Sequence, residues 1–112
     1  MQDLVASVYE VLDVLDELVK QYEASGCQLA ENEAEYRKKL RIEQLTERQR
    51  GTPVSIIGDV CRGKTHIADL KLKRDSAEAI YKATGEAINV NKLRLRTLNE
   101  MIAREYQASY QQ

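Results

Sequence analysis

Tryptophan and phenylalanine are absent from this 112-residue chain, and six tyrosines carry its whole aromatic content. Large apolar anchors are therefore few, the aliphatic side chains must supply the packing, and a thick globular core is not expected. There is a single proline, at position 53, so residues 1–52 contain nothing that forbids a continuous helix. Only two cysteines occur, Cys27 and Cys61, without C-x-x-C or metal-ligand spacing. Both are read as reduced thiols, and neither a metal nor a cofactor is expected. Long apolar runs are also missing. The opening MQDLVASVYEVLDVLDELV breaks its apolar residues with acids and has no basic leader. Neither a signal peptide nor a transmembrane span is expected, and the chain reads as a mature cytoplasmic protein without a membrane partner. A net charge of -1 implies no polyanionic partner by itself.

What the chain does have is helical periodicity. Leu4, Val8, Val11, Leu15, Leu18 and Tyr22 recur in alternating steps of four and three, and Leu29 and Tyr36 extend the spacing. This predicts one helix over about 3–49, near 70 Å long at 1.5 Å per residue, a length that suggests coiled-coil pairing. A second seam, Leu70, Ala77, Tyr81, Ile88, Leu95, Leu98 and Ile102, predicts a helix over about 65–108. Arg74, Thr84 and Asn91 fall where that seam expects apolar residues, and polar residues in such places often fix register. Between the two helices, Gly51 is a stop signal, and Thr52-Pro53 reads as an N-cap followed by a first helical residue. A short helix over about 53–61 would then place Val54, Ile57 and Cys61 on one face and end at Gly63, with Thr65 capping the next helix. The competing reading, Val54 to Ile57 as a strand, lacks a second strand to pair with. The expected architecture is all-α: one helical domain over residues 1–112, folded as a long antiparallel hairpin.

The stretch Gly58-Asp59-Val60-Cys61-Arg62-Gly63-Lys64-Thr65 matches the phosphate-binding pattern G-x-x-x-x-G-K-[ST] letter for letter. Such a loop works because a buried parallel strand delivers it to a helix N-terminus, and no such sheet is visible here. A chance match is expected in roughly one in a few hundred chains of this size. The chain is accordingly read as no enzyme. A cation and free N–H groups at Lys64 and Thr65 still leave anion binding open.

Charge is unevenly distributed. Residues 1–35 hold nine acids and one base, residues 36–74 hold eleven bases and four acids, and the remainder balances at five of each. A hairpin would gather Arg48, Arg50, Arg62, Lys64, Thr65 and His66 near its tip, as candidate residues for an anion or a partner. They read either as a solvated surface that complements the acidic end of another subunit or as a contact for nucleic acid. His66 is the only histidine, and nothing orients it against Cys61 for nucleophilic catalysis. Asp13, Asp16 and Glu17 have the spacing of a solvated helix face. Tyr106 and Tyr110, one turn apart in the tail, could anchor a partner.

If the helices meet end to end, facing residues have numbers adding to about 113, and Gly26 lies near Ala87. Ser25, Gly26 and Ala30 would oppose Ala83, Gly85 and Ala87, letting the backbones approach at mid-length. The first helix carries more apolar surface than one partner covers, because Val5, Leu12 and Val19 accompany Leu4, Val8, Val11, Leu15 and Leu18. Those eight residues are the expected oligomer interface, with a C2 dimer forming a four-helix bundle as the simplest closed solution.

From Thr52 to Tyr106 the chain resembles small helical proteins encoded by bacteriophages and prophages of Gram-positive bacteria. The resemblance rests on the Pro53-Val54-Ser55-Ile56 turn, Arg62-Gly63, Leu70 through Arg74-Asp75, Ala77-Glu78, Tyr81-Lys82, Glu86-Ala87-Ile88 and Arg104-Glu105. It implies a phage setting and the host cytoplasm, and supplies no activity; in that group the Gly-Lys-Thr ending is not a fixed feature. Three functions follow as expectations. The first is a non-enzymatic, oligomeric binding protein that engages or inhibits a host protein, a defence component among the candidates. The others are a nucleic-acid accessory protein using the basic turn, and a phosphate or nucleotide-signal binder at residues 58–65.

Overall fold

The computed structural model describes residues 1–111 and is all-α, with no strand among the described residues. Its helices are α1 (Gln2–Gln49), α2 (Val54–Arg62) and α3 (Thr65–Gln111). The short helix expected over about 53–61 is therefore present as α2, and the competing strand over Val54 to Ile57 is not. α1 runs unbroken because nothing before Pro53 interrupts it, and it stops where Gly51 adopts φ +85°. There Thr52 N–H donates to the Glu47 carbonyl and Gly51 N–H to that of Arg48, both at 3.1 Å. This is the Schellman arrangement, and it needs the left-handed residue that glycine supplies without strain.

Three details of the connection differ from expectation. Pro53, not Thr52, occupies the N-cap position of α2, and no side chain caps that helix. The Thr52 hydroxyl is taken up elsewhere, donating to Glu47 Oε2 at 2.6 Å. Of the predicted α2 face, Ile57 and Cys61 are buried, whereas Val54 is 77% exposed. α2 closes at Gly63, whose φ of -80° is right-handed, and Thr65 is the first residue of α3 rather than its cap.

The chain forms two compact units. The first comprises Met1–Glu23 and Lys82–Gln112, the second Ala24–Tyr81. In the first, α1 and α3 run antiparallel: the Met1 ammonium donates to Glu105 at 3.3 Å, and Tyr22 reaches Gly85. Leu4, Val8, Val11, Leu15, Leu18 and Tyr22 are half-buried, as are Ile88, Leu95, Leu98 and Ile102. Asn91 in the same seam is buried, donating to the Ala87 carbonyl of its own helix at 2.8 Å.

In the second unit Ile67 and Cys61 are fully buried, and Ile57 and Ala77 complete the apolar interior. These four are the only buried apolar residues among those described, so the core is thin and lies in this unit. Antiparallel pairing continues to Gly26 and Tyr81, and buried Asn32 donates through Nδ2 to the Lys73 carbonyl at 3.3 Å. Its Oδ1 accepts from Gln28 at 2.9 Å, so the buried amide is satisfied on both atoms.

The expected register is corrected. Facing residues add to 107 at both Gly26–Tyr81 and Glu43–Lys64, instead of 113. α1 runs about two turns past the start of α3, and the six-residue difference in register moves Gly26 roughly 9 Å along α3, from Ala87 to Tyr81. A close approach of small residues is therefore not what the glycines provide. A β-carbon on Gly26 would lie 3.1 Å from Tyr81 Cε2 in the second unit, and one on Gly85 would lie 3.1 Å from Tyr22 Cε2 in the first. Each glycine is a socket for a tyrosine ring of the facing helix.

Candidate functional site

The connection between α1 and α3 gathers most of the residues singled out in the sequence. Glu43 and Glu47 lie one turn apart on the inner face of α1's end, and the Gly63–Lys64 turn delivers the Lys64 ammonium between them. Lys64 Nζ donates to Glu43 Oε2 and to Glu47 Oε1, each at 2.6 Å. Glu47, only 6% exposed, also accepts from Thr52 on its other oxygen and from Arg50 at 3.1 Å. Glu43 Oε1 lies 3.0 Å from His66 Nε2. Arg62 is paired with Asp59 at 3.3 Å on α2's outer surface. Arg48 and Thr65 are exposed, and Arg48 makes no ion pair among the described residues.

The electrostatics follow from this geometry. The Lys64 hydrogen bond, with that of Thr52, pulls the Glu47 carboxyl down to about 2. Glu43 is lowered, first by Lys64 and then by His66, while Glu43 and Glu47 together raise Lys64. An ammonium held by two carboxylates is offset locally. The positive tip expected from the sequence is thus largely neutralised, by Glu43, Glu47 and Asp59.

GDVCRGKT is accordingly a helix–turn–helix junction. Its residues Gly58 to Arg62 lie inside α2, so no open loop presents successive N–H groups to a phosphate, and the lysine points back at α1. Among the described residues no three His, Cys, Asp or Glu side chains cluster as metal ligands, both cysteines are free thiols, and no helix is long and apolar enough to cross a membrane.

A second network lies farther along the second unit. Arg74, flagged as a polar seam residue, pairs with Glu33 of α1, with Glu78, and with Asp75 at 3.0 Å. Glu33 also accepts from Arg37 at 2.6 Å, Asp75 from Lys71 at 2.8 Å, and Glu35 lies 3.9 Å from Lys73. Sequence reasoning missed Glu33, Glu43 and Glu47 as partners. The signal was there: continuing the steps of four and three past Tyr36 reaches Leu40, Glu43 and Glu47.

The eight interface candidates on α1 divide. Leu4, Val8, Val11, Leu15 and Leu18 line the inner seam, whereas Val5, Leu12 and Val19 remain 39%, 38% and 45% exposed. Tyr106 and Tyr110 are exposed and stack on each other, ring centres 6.1 Å apart.

The network sets a pH dependence. Glu47 ionises near 4.5 when unfolded and near 2 when folded. It therefore contributes stability that is fully present above pH 4.5 and is lost as pH falls toward 2. Melts followed by circular dichroism should show a midpoint steady from pH 7 to about 5 that declines below. Glu47→Gln should lower the midpoint at pH 7 and flatten the acid limb; an acid limb as steep as the wild type's would exclude Glu47 as a source. No family model, curated protein or solved structure matches the chain.

Proposed function

We propose that the chain is a non-enzymatic helical binding protein that acts as an oligomer and engages a protein of its host cell, inhibiting it or serving it as a scaffold. One observation carries the reading: apolar side chains are left outward while the charges at the connection are satisfied internally. Val5, Tyr9, Leu12 and Val19 are exposed in the first unit, and Val54, Ile56 and Val60 on α2 in the second. Exposed apolar side chains grouped along one face of α1 support a contact face, and pairing of Lys64, Arg50, Arg62 and His66 with carboxylates weakens the case for a phosphate backbone as the target. The phage setting and host cytoplasm rest on the resemblance of residues 52–106.

The test is affinity capture of the tagged full chain from a Gram-positive host lysate, washed at low and high salt, with nuclease on half the sample. A stoichiometric protein that survives both treatments is the expected result. Recovery confined to nuclease-sensitive, salt-labile material would overturn it in favour of a nucleic-acid accessory role.

A further inference from the structure

The two units treat their charges differently. In the second unit seven of the nine acids, Glu33, Glu35, Glu43, Glu47, Asp59, Asp75 and Glu78, belong to ion pairs among the described residues, and only Glu31 and Asp69 do not. In the first, Asp3, Glu10, Asp13, Asp16, Glu17 and Glu23 on α1 have no ion-pair partner among the described residues, and neither do Lys92, Arg94 and Arg96 on α3. The two opposite-sign sets belong to two antiparallel helices that do not satisfy each other.

Their placement explains why. On α1, Val5, Leu12 and Val19 each follow a seam residue by one position, and Asp16 and Glu23 share that face at spacings of three and four. On α3, Lys92, Arg96, Asn99 and Ala103 likewise follow the seam residues Asn91, Leu95, Leu98 and Ile102, and they line an open groove of about 460 Å³ together with Leu95 and Glu100. In an antiparallel helix pair, positions that follow the seam fall on the same side of both helices. One side of the first unit therefore carries an acidic, apolar ridge beside a basic groove.

Resting on the oligomer reading above, we propose that the ridge of one copy seats in the groove of a second: Val5, Leu12 and Asp16 of α1 pack on the Lys92–Ala103 groove of the partner's α3. A two-fold axis parallel to the helices makes both contacts at once and gives a four-helix bundle in which like helices lie on the diagonal. The level fits. Facing residues in this unit add to 106 at Met1–Glu105 and to 107 at Tyr22–Gly85. A partner placed by that axis thus brings Leu12 level with Leu95 and Asp16 next to Lys92. Pairing α1 with its own copy would instead set acidic rows against each other, which electrostatics opposes.

The experiment is sedimentation equilibrium on full chains. Wild type should sediment at twice its 12.8 kDa mass. Asp16→Lys and Lys92→Glu, both at exposed positions, should each weaken self-association at least tenfold with helix content unchanged by circular dichroism. Their equimolar mixture should restore it, since both contacts of the mixed dimer are then complementary. Self-association undiminished in both variants, or not restored on mixing, would overturn this pairing and leave the oligomer reading standing. A wild type that sediments as a monomer at 100-fold dilution and at high concentration alike would overturn both.

Discussion

Replacing Ile67 by alanine should lower the stability of the chain by about 3–4 kcal/mol, the usual range for removing a large aliphatic side chain from a site that cannot collapse. Ile67 is fully buried, and with Cys61 it is one of the two largest side chains wholly removed from water. Few apolar residues share that load, so losing one removes a large fraction of the apolar interior. At roughly 4 °C or more per kcal/mol, a thermal midpoint more than 10 °C lower is expected. The same truncation at Leu72, 66% exposed on the same helix, should change the midpoint little. Equal losses at the two positions would contradict a core confined to the second unit's interior.

The second large effect concerns the tyrosine sockets. Gly26→Leu should cost about 2 kcal/mol, even though taking a glycine out of a helix interior is worth roughly 1 kcal/mol in the other direction. Contact decides the sign, because the first added carbon already sits 3.1 Å from the Tyr81 ring and the next atoms must enter it. Tyr81→Ala alone should cost about 3 kcal/mol through lost packing. Combined, the two should cost about 3 kcal/mol rather than the sum of about 5, since the leucine then occupies the space the ring left. Denaturant titrations of the wild type and the three variants measure the coupling. Strict additivity would show that Gly26 does not hold the ring.

Much of this was legible in the residues. The steps of four and three that begin at Leu4 and end at Ile102 define both long helices, and Gly51 with Pro53 marks the break between them. Register was not legible, because the end-to-end assumption ignored how far α1 continues past the start of α3. Six residues of slide follow from that overhang, and they turn Gly26 from a backbone contact into a socket. The connection's chemistry was half legible: Lys64 stood out in a phosphate-binding pattern, yet its actual partners sit some twenty positions earlier and look like ordinary surface acids. Only their place on the inner face, four residues apart, distinguishes Glu43 and Glu47 from Asp13 and Glu17. Arg74, conspicuous as a charge in an apolar seam, is accounted for by Glu33 across from it and Glu78 one turn on.

The connection also bears on the order in which the second unit can assemble. Lys64 is 17 positions from Glu47 and 21 from Glu43, whereas Asn32 and Glu33 are each 41 from their partners on α3. Closing the longer loop from an open chain costs about 0.8 kcal/mol more in chain entropy than closing the shorter. Once Lys64 has met its two carboxylates, however, the next turn of α1 is already beside the next turn of α3, and each later contact closes only a few free residues. The connection is thus the least entropically demanding place for the two long helices to begin pairing, and its charges draw together two chain segments that would otherwise have to meet by diffusion.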